Sequence, residues 1–324
     1  MHTPTLPTGQ PAIGPALHRA WGSMKARLFQ PFQIGLWLAL GLSAWLSEIH
    51  QSLSSLINAP LQFLDLEQHF SDIHTWIASL PILWVGTGIF LAIVLIVVGY
   101  YIAARGKFML IHQLARNTTD VGVPWKDNGS ESLSYFLWTL MIGSGVTLLF
   151  GMVIAILVGI TVASTHGSAS VAGLTAVTIT VAVLMALLFL LFYLVWLVVT
   201  DLIRPVMWMH QCSFPEGWQT LWPCLKAEPG TVFLYALTRV GIQIGFSMAI
   251  MVGGLLTCCC GFLLIAIPYI GQVITLPVYA FNQLYALEFL KGFGPDYDAF
   301  RARIPASSIP SMEAPNEDLP AGFA

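Results

Sequence analysis

The chain has 324 residues, 56% of them hydrophobic and only 9% charged, with 13 basic and 16 acidic side chains and a formal net charge of −3. A soluble domain carries roughly 25% charged residues, so this composition excludes an ordinary soluble protein. Without a global basic field it also argues against nucleic acid as a partner. What remains is an integral membrane protein.

In chain order, residues 1–15 are rich in Pro, Thr and Gly, lack the apolar core of a signal peptide and read as a disordered tail. Leu17, Trp21, Met24 and Leu28 then recur at helical spacing, with Arg19, Lys25 and Arg27 off that stripe. Such a helix lies in the headgroup layer and attracts anionic lipid. A hydrocarbon core of about 30 Å takes roughly 20 mostly apolar residues to cross. Six segments qualify: 32–49, 82–104, 133–162, 171–200, 231–257 and 261–290. Unpaired backbone amides are not tolerated in lipid, so each is expected to be a helix.

Segment 50–81 is acidic, with Asp65, Glu67 and Asp72 and no basic residue, and Leu66, Phe70, Ile73, Ile77 and Leu80 share one helical face. That pattern predicts a helix on the outer bilayer surface or over the bundle. Before the fifth span, Ser213 and Glu216 have capping-box spacing, followed by an apolar stripe of Trp218, Leu221, Trp222 and Leu225. Pro223 is expected to kink or end that helix. The plainer alternative to lipid sensing is that these tryptophans only fix helix tilt. Residues 305–324 read as a second disordered tail. The expected fold is all-α: a membrane domain over 16–304, with six transmembrane helices as three helical hairpins and interfacial amphipathic helices.

Twelve of the 13 basic residues fall in the leader, the second and fourth loops and the C-terminal segment, all on one side; Arg239 lies inside a span. The positive-inside rule then puts both termini in the cytoplasm. The chain also reads as repeated, with a period of about 100 residues. Trp21, Trp125 and Trp222 mark the starts, Trp37, Trp138 and Tyr235 the helices that follow, and Met-x-x-His-Gln strings occupy 109–113 and 207–211. Units with an even number of spans all face the same way, unlike the inverted repeats of many alternating-access transporters.

A charge inside a span is costly, which singles out Arg239. Asp201 and Arg204 are one helical turn apart at the end of the fourth span, and Pro205 follows. An Asp201–Arg239 ion pair is expected from their shared depth. Asp201, Arg204 and Arg239 together would bind an anionic lipid head group or anionic solute, or else clamp two helices. In the sixth span, Pro268 and Pro277 free backbone carbonyls, which makes Tyr269, Gln272 and Asn282 candidates for lining a polar cavity. Gly143, Gly145, Gly151, Gly253 and Gly254 are expected to pack helices closely.

No metal is expected. His69 and His74 are wrongly spaced for one helical face, and His210 and Cys212 with Cys224 lack a second close cysteine. Cys258, Cys259 and Cys260 read as small apolar residues at a turn. There is no P-loop, GxSxG or HExxH, so no enzyme activity and no cofactor are expected.

The strings ARGKFMLIHQLARN, DLIRPVMW, LTCCCGFLLIAIPYIGQVITLP and FLKGFGPDYDAF, with the opening WGSMKARLFQPFQIGLWLALGLSAWL, resemble a bacterial family of uncharacterised six-span membrane proteins over about residues 16–301. More distantly, the chain is similar to the membrane domain of some glycerophosphodiester phosphodiesterases. The resemblance implies a helical bundle in a bacterial inner membrane, and carries no activity, because the phosphodiesterase chemistry belongs to a separate soluble domain. Asp201, Arg204 and Pro205, and Phe293, Gly294, Pro295 and Asp298, match characteristic strings of that family. The expected function is a non-enzymatic membrane scaffold or accessory subunit that interacts with lipid and with a protein partner or a second copy. The alternative is a permease for a small solute or lipid. A permease predicts a polar cavity that reaches the midplane between spans four, five and six, lined by Arg239, Tyr269 or Gln272; a scaffold predicts a dry, glycine-packed bundle.

Overall fold

A computed structural model describes residues 9–49, 82–165, 171–257 and 260–301. The expectations for segment 50–81, with His69 and His74, for Cys258 and Cys259, and for residues 1–8 and 302–324 lie outside the described residues. Those described form helices and no strand. In order they are α1 (Ile13–Leu28), α2 (Ile34–Ser47), α3 (Ile82–Arg116), α4 (Gly122–Asp127), α5 (Gly129–Thr165), α6 (Val171–His210), α7 (Phe214–Ala227), α8 (Pro229–Leu256), α9 (Cys260–Ala266), α10 (Ile270–Ile274) and α11 (Leu276–Leu290). Two 3-10 turns, Lys291–Phe293 and Pro295–Tyr297, close the described chain.

Four helices, α3, α5, α6 and α8, are long and apolar enough to cross a membrane. The expected first and sixth spans are not continuous helices of that length. The first is α2, whose 14 residues reach about 21 Å at about 1.5 Å per residue. The sixth is broken into α9, α10 and α11. Pro268 supplies no N–H at the first break, and Tyr269 follows in the left-handed region at φ 69°. Its hydroxyl donates to the Leu38 carbonyl of α2 at 3.1 Å, and its ring meets Trp45 edge-on. Hydropathy sums over a window and does not register these contacts, so the sequence reads one span where there are three helices.

The packed core lies at one end of the long helices. Phe108, Ile111 and Leu114 of α3, Leu202, Ile203, Met207 and Trp208 of α6, Tyr235 of α8 and Leu284 to Leu290 of α11 are buried there. Tyr235 stacks on Tyr285 and packs against Phe289, with centroids 5.0 and 4.4 Å apart. The rest of each long helix presents apolar side chains outward, as Leu148 at 74% exposed and Leu187 at 57% illustrate. Bare apolar surface of this extent is unfavourable in water and favourable in lipid.

α1 runs antiparallel to α11. Arg19 Nε pairs with Glu288 at 2.9 Å, Trp21 meets Phe281 edge-on, and the Gly9 amide donates to Phe293 O at 3.2 Å. The buried line of α1 is Ala16, Ala20, Met24 and Leu28, while Trp21 is 46% exposed. This line is rotated from the expected stripe because small alanines let the α1 backbone approach α11. α7 forms its capping box at Ser213 and Glu216, but it runs through Pro223 to Ala227 rather than ending there. Gly143, Gly145, Gly151 and Gly253 meet nothing within 4 Å, so they do not pack helices as expected; of the five, Gly254 alone does, against Phe262. α3 and α6 both end on a left-handed residue, Asn117 and Gln211. Gln211 is itself that residue, whereas Gln113 lies one turn before Asn117, so the two Met-x-x-His-Gln strings are not in equivalent places.

Candidate ligand cavity

Asp201 sits at the centre of the site, on α6. Its two carboxylate oxygens are divided between two guanidinium groups. Arg204 Nη2 donates to Oδ1 at 2.9 Å from one turn along α6, and Arg239 Nε donates to Oδ2 at 2.9 Å from α8. The three side chains are only 12%, 12% and 15% exposed. Arg204 Nε also donates to Thr200 O, and Arg239 Nη1 to Gln243 Oε1 at 3.3 Å. Each guanidinium carries five N–H donors, so both keep donors beyond those bonds.

These residues line a cavity of about 460 Å3, within the size range of small-molecule sites. The end of α2 adds Glu48, and α3 adds Lys107. Gly106 makes that meeting possible: a Cβ there would collide with the Ser47 backbone nitrogen. The hairpin expected between the first two spans would instead place residue 48 near Ile82. Gly106 is roughly 36 Å further along α3 at about 1.5 Å per residue. The broken segment adds Gln272 from α10 and Asn282 and Gln283 from α11.

Asp201, Arg204, Arg239, Gln272 and Asn282 therefore share one cavity. Tyr269 does not line it, because its hydroxyl and ring are taken up by α2. Glu48, Lys107, Gln243 and Gln283 were not singled out from sequence. Gln243 follows Arg239 by one helical turn, a signal that was available. Lys107 and Glu48 flank apolar runs, where a charge reads as an ordinary loop residue.

Three cations, Lys107, Arg204 and Arg239, face two carboxylates, Glu48 and Asp201, which leaves the lining with one formal positive charge in excess. No ion pair of Lys107 or Glu48 is formed among the described residues. Gln272 Oε1, Asn282 Oδ1 and Gln283 Nε2 are buried without a hydrogen-bond partner. An unpaired buried polar atom costs about 1–3 kcal/mol. Among the described residues no three His, Cys, Asp or Glu side chains gather as metal ligands.

Four apolar helices of membrane length, three of which line a charged cavity, define a membrane-embedded helical protein. Residues 12–271 match the family of unknown function DUF7544, and the chain belongs to that family. The match takes in Glu48, Lys107, Asp201, Arg204 and Arg239, and stops one residue short of Gln272. No curated protein and no solved structure matches the chain.

Proposed function

We propose that this is a non-enzymatic protein of a bacterial cytoplasmic membrane, with both termini on the cytoplasmic side, that takes a small anionic solute or lipid head group into the charged cavity as a permease does. One observation carries the reading. The lining follows α8 from Arg239 through Gln243 to Ile250, roughly 16 Å at about 1.5 Å per residue, and Gln243 falls midway along that helix. A cavity that extends from a buried cation past the middle of a span is what passage of an anion requires. The meeting of the N-terminal segment with the end of α11, and the basic residues around that end, support the sidedness.

The test is anion flux from proteoliposomes that contain the full chain. The expected result is flux above that of empty liposomes, lost in Arg239→Met. Equal flux with and without protein, for every small anion tried, would overturn the reading. A scaffold or accessory subunit that meets a protein partner or a second copy is the second reading. It is favoured by the bare apolar faces of the spans, whose most apolar stretches in α5, α6 and α8 are 0%, 6% and 6% buried. Native mass spectrometry of the same preparation, showing a stable assembly without flux, would favour it.

A further inference from the structure

The two carboxylates of the cavity are held differently. Asp201 gives one oxygen to Arg204 and the other to Arg239, each at 2.9 Å. Glu48 is half-buried, lines the same cavity and forms no ion pair among the described residues. The backbone contact between Ser47 and Gly106 carries the next residue of each helix, Glu48 and Lys107, to the cavity together. The charged and titratable groups around Glu48 are Lys107 from α3, Tyr135 from α5, Asp201 and Arg204 from α6, Arg239 from α8 and Tyr279 from α11. α10 adds none. Glu48 follows α2 and lies outside the four long helices. Burial pushes its carboxyl above the ordinary value of 4.5, against the opposing pull of Lys107 and Arg204. With Glu48 ionised, the lining sets three cations against two carboxylates; with Glu48 neutral, three against one. An anion among these groups is repelled by the ionised Glu48 and held more tightly once Glu48 is protonated. By linkage, the anion favours the proton by the same factor as the proton favours the anion.

We infer that the cavity takes up its anion together with one proton, and that Glu48 carries that proton. The proton comes from water and adds to a carboxylate oxygen of Glu48; no other bond is made or broken, and release of the anion returns it. This rests on the cavity being an anion site as proposed above, and it names what the anion is coupled to. In a permease the coupling makes the chain a proton–anion symporter, and a pH gradient then drives anion entry. As pH falls through the range in which Glu48 gains its proton, anion affinity rises by at most about tenfold per pH unit for one proton, and it levels off below that range.

The test uses the full chain in phosphatidylcholine nanodiscs, titrated with chloride, nitrate and methanesulfonate, which take up no proton themselves. At least one of these anions is expected to bind about tenfold tighter at about pH 6 than at about pH 8. A pH indicator in weakly buffered solution is expected to show proton uptake that approaches one per anion bound. In nanodiscs that also contain phosphatidylglycerol, unchanged anion affinity identifies a free solute as the natural guest. Weakened affinity, with phosphatidylglycerol retained in native mass spectra, identifies the lipid head group. Equal affinity at the two pH values without proton uptake would overturn the inference, as would no binding of any of the three anions. Glu48→Gln fixes the neutral state. It is expected to bind equally at both pH values, as tightly as the parent does at the lower one, and to take up no proton. Proton uptake that survives in this variant would assign the proton to another group and overturn the inference. Glu48→Asp guards against misfolding of the first variant: it keeps a titrating carboxyl and is expected to keep the uptake with a shifted midpoint. An unshifted midpoint would equally overturn it. The two proposals fail separately: anion binding with proton uptake but no flux sinks the permease, and binding and flux without proton uptake sink the coupling.

Discussion

Asp201 is worth more to the fold than either arginine it holds. Removing its charge leaves two guanidinium groups in a confined space with no carboxylate between them, whereas removing Arg239 leaves Asp201 still paired with Arg204. Asp201→Asn is therefore expected to destabilise the protein by about 3 kcal/mol, the cost of breaking a buried pair. Arg239→Met is expected to cost about 1 kcal/mol, the scale of a single lost hydrogen-bonded contact. Thermal unfolding in nanodiscs checks the order, and equal losses would contradict the shared carboxylate. This trio was legible in the sequence, because a charge inside an apolar run needs a partner at its own depth. Lys107 and Glu48 were not, because their place depends on where α2 docks, and that is set by a backbone contact at Gly106 with no periodic signature.

At the scale of elements, Gly106 and Gly143 make opposite predictions. A methyl group at Gly106 meets the backbone of Leu46 and Ser47, while at Gly143 it meets nothing within 4 Å. Gly106→Ala is expected to destabilise by about 1–3 kcal/mol through overpacking, and to loosen Glu48 from the cavity. Gly143→Ala is expected to stabilise by about 0.5–1 kcal/mol, the helix preference of Ala over Gly. Unfolding midpoints of opposite shift would check this.

The start of α7 is pH-sensitive in a defined direction. The exposed Glu216 carboxylate accepts from the Ser213 backbone N–H and hydroxyl, both at 2.8 Å, which hold it below its ordinary value of 4.5. Its capping contribution is therefore complete above that ordinary value and lost as pH falls through the lowered folded one. Tryptophan fluorescence of Trp218 and Trp222 is expected to show this step on acidification, and Glu216→Gln is expected to remove it. The capping box was readable from spacing alone, since it is local. The continuation of α7 through Pro223 was not, because the buried Leu221 and Cys224 on either side hold that turn against the core, a tertiary contact with no local signature.

For the whole molecule, composition was enough to establish helices in lipid, and four of the six expected spans are helices long and apolar enough to cross a membrane. The other two are not single helices of that length, for one shared reason. α2 and the α9–α10–α11 segment are as apolar as spans but pack against each other, with Gly41 against Val273 and Leu38 O accepting from Tyr269. By hydropathy, a short or broken apolar segment packed on its neighbour is indistinguishable from one long continuous helix.

The antiparallel seating of α1 on α11 has a consequence for biogenesis. α1 is the first described helix to leave the ribosome and α11 the last, and domains begin to organise during synthesis. Until α11 has been made, the alanine line of α1 and the Arg19 side chain have no mate. The cations of the cavity are thus laid down well before the amides of Asn282 and Gln283 arrive, and the nascent chain holds an unfinished basin that only α11 turns into a chamber.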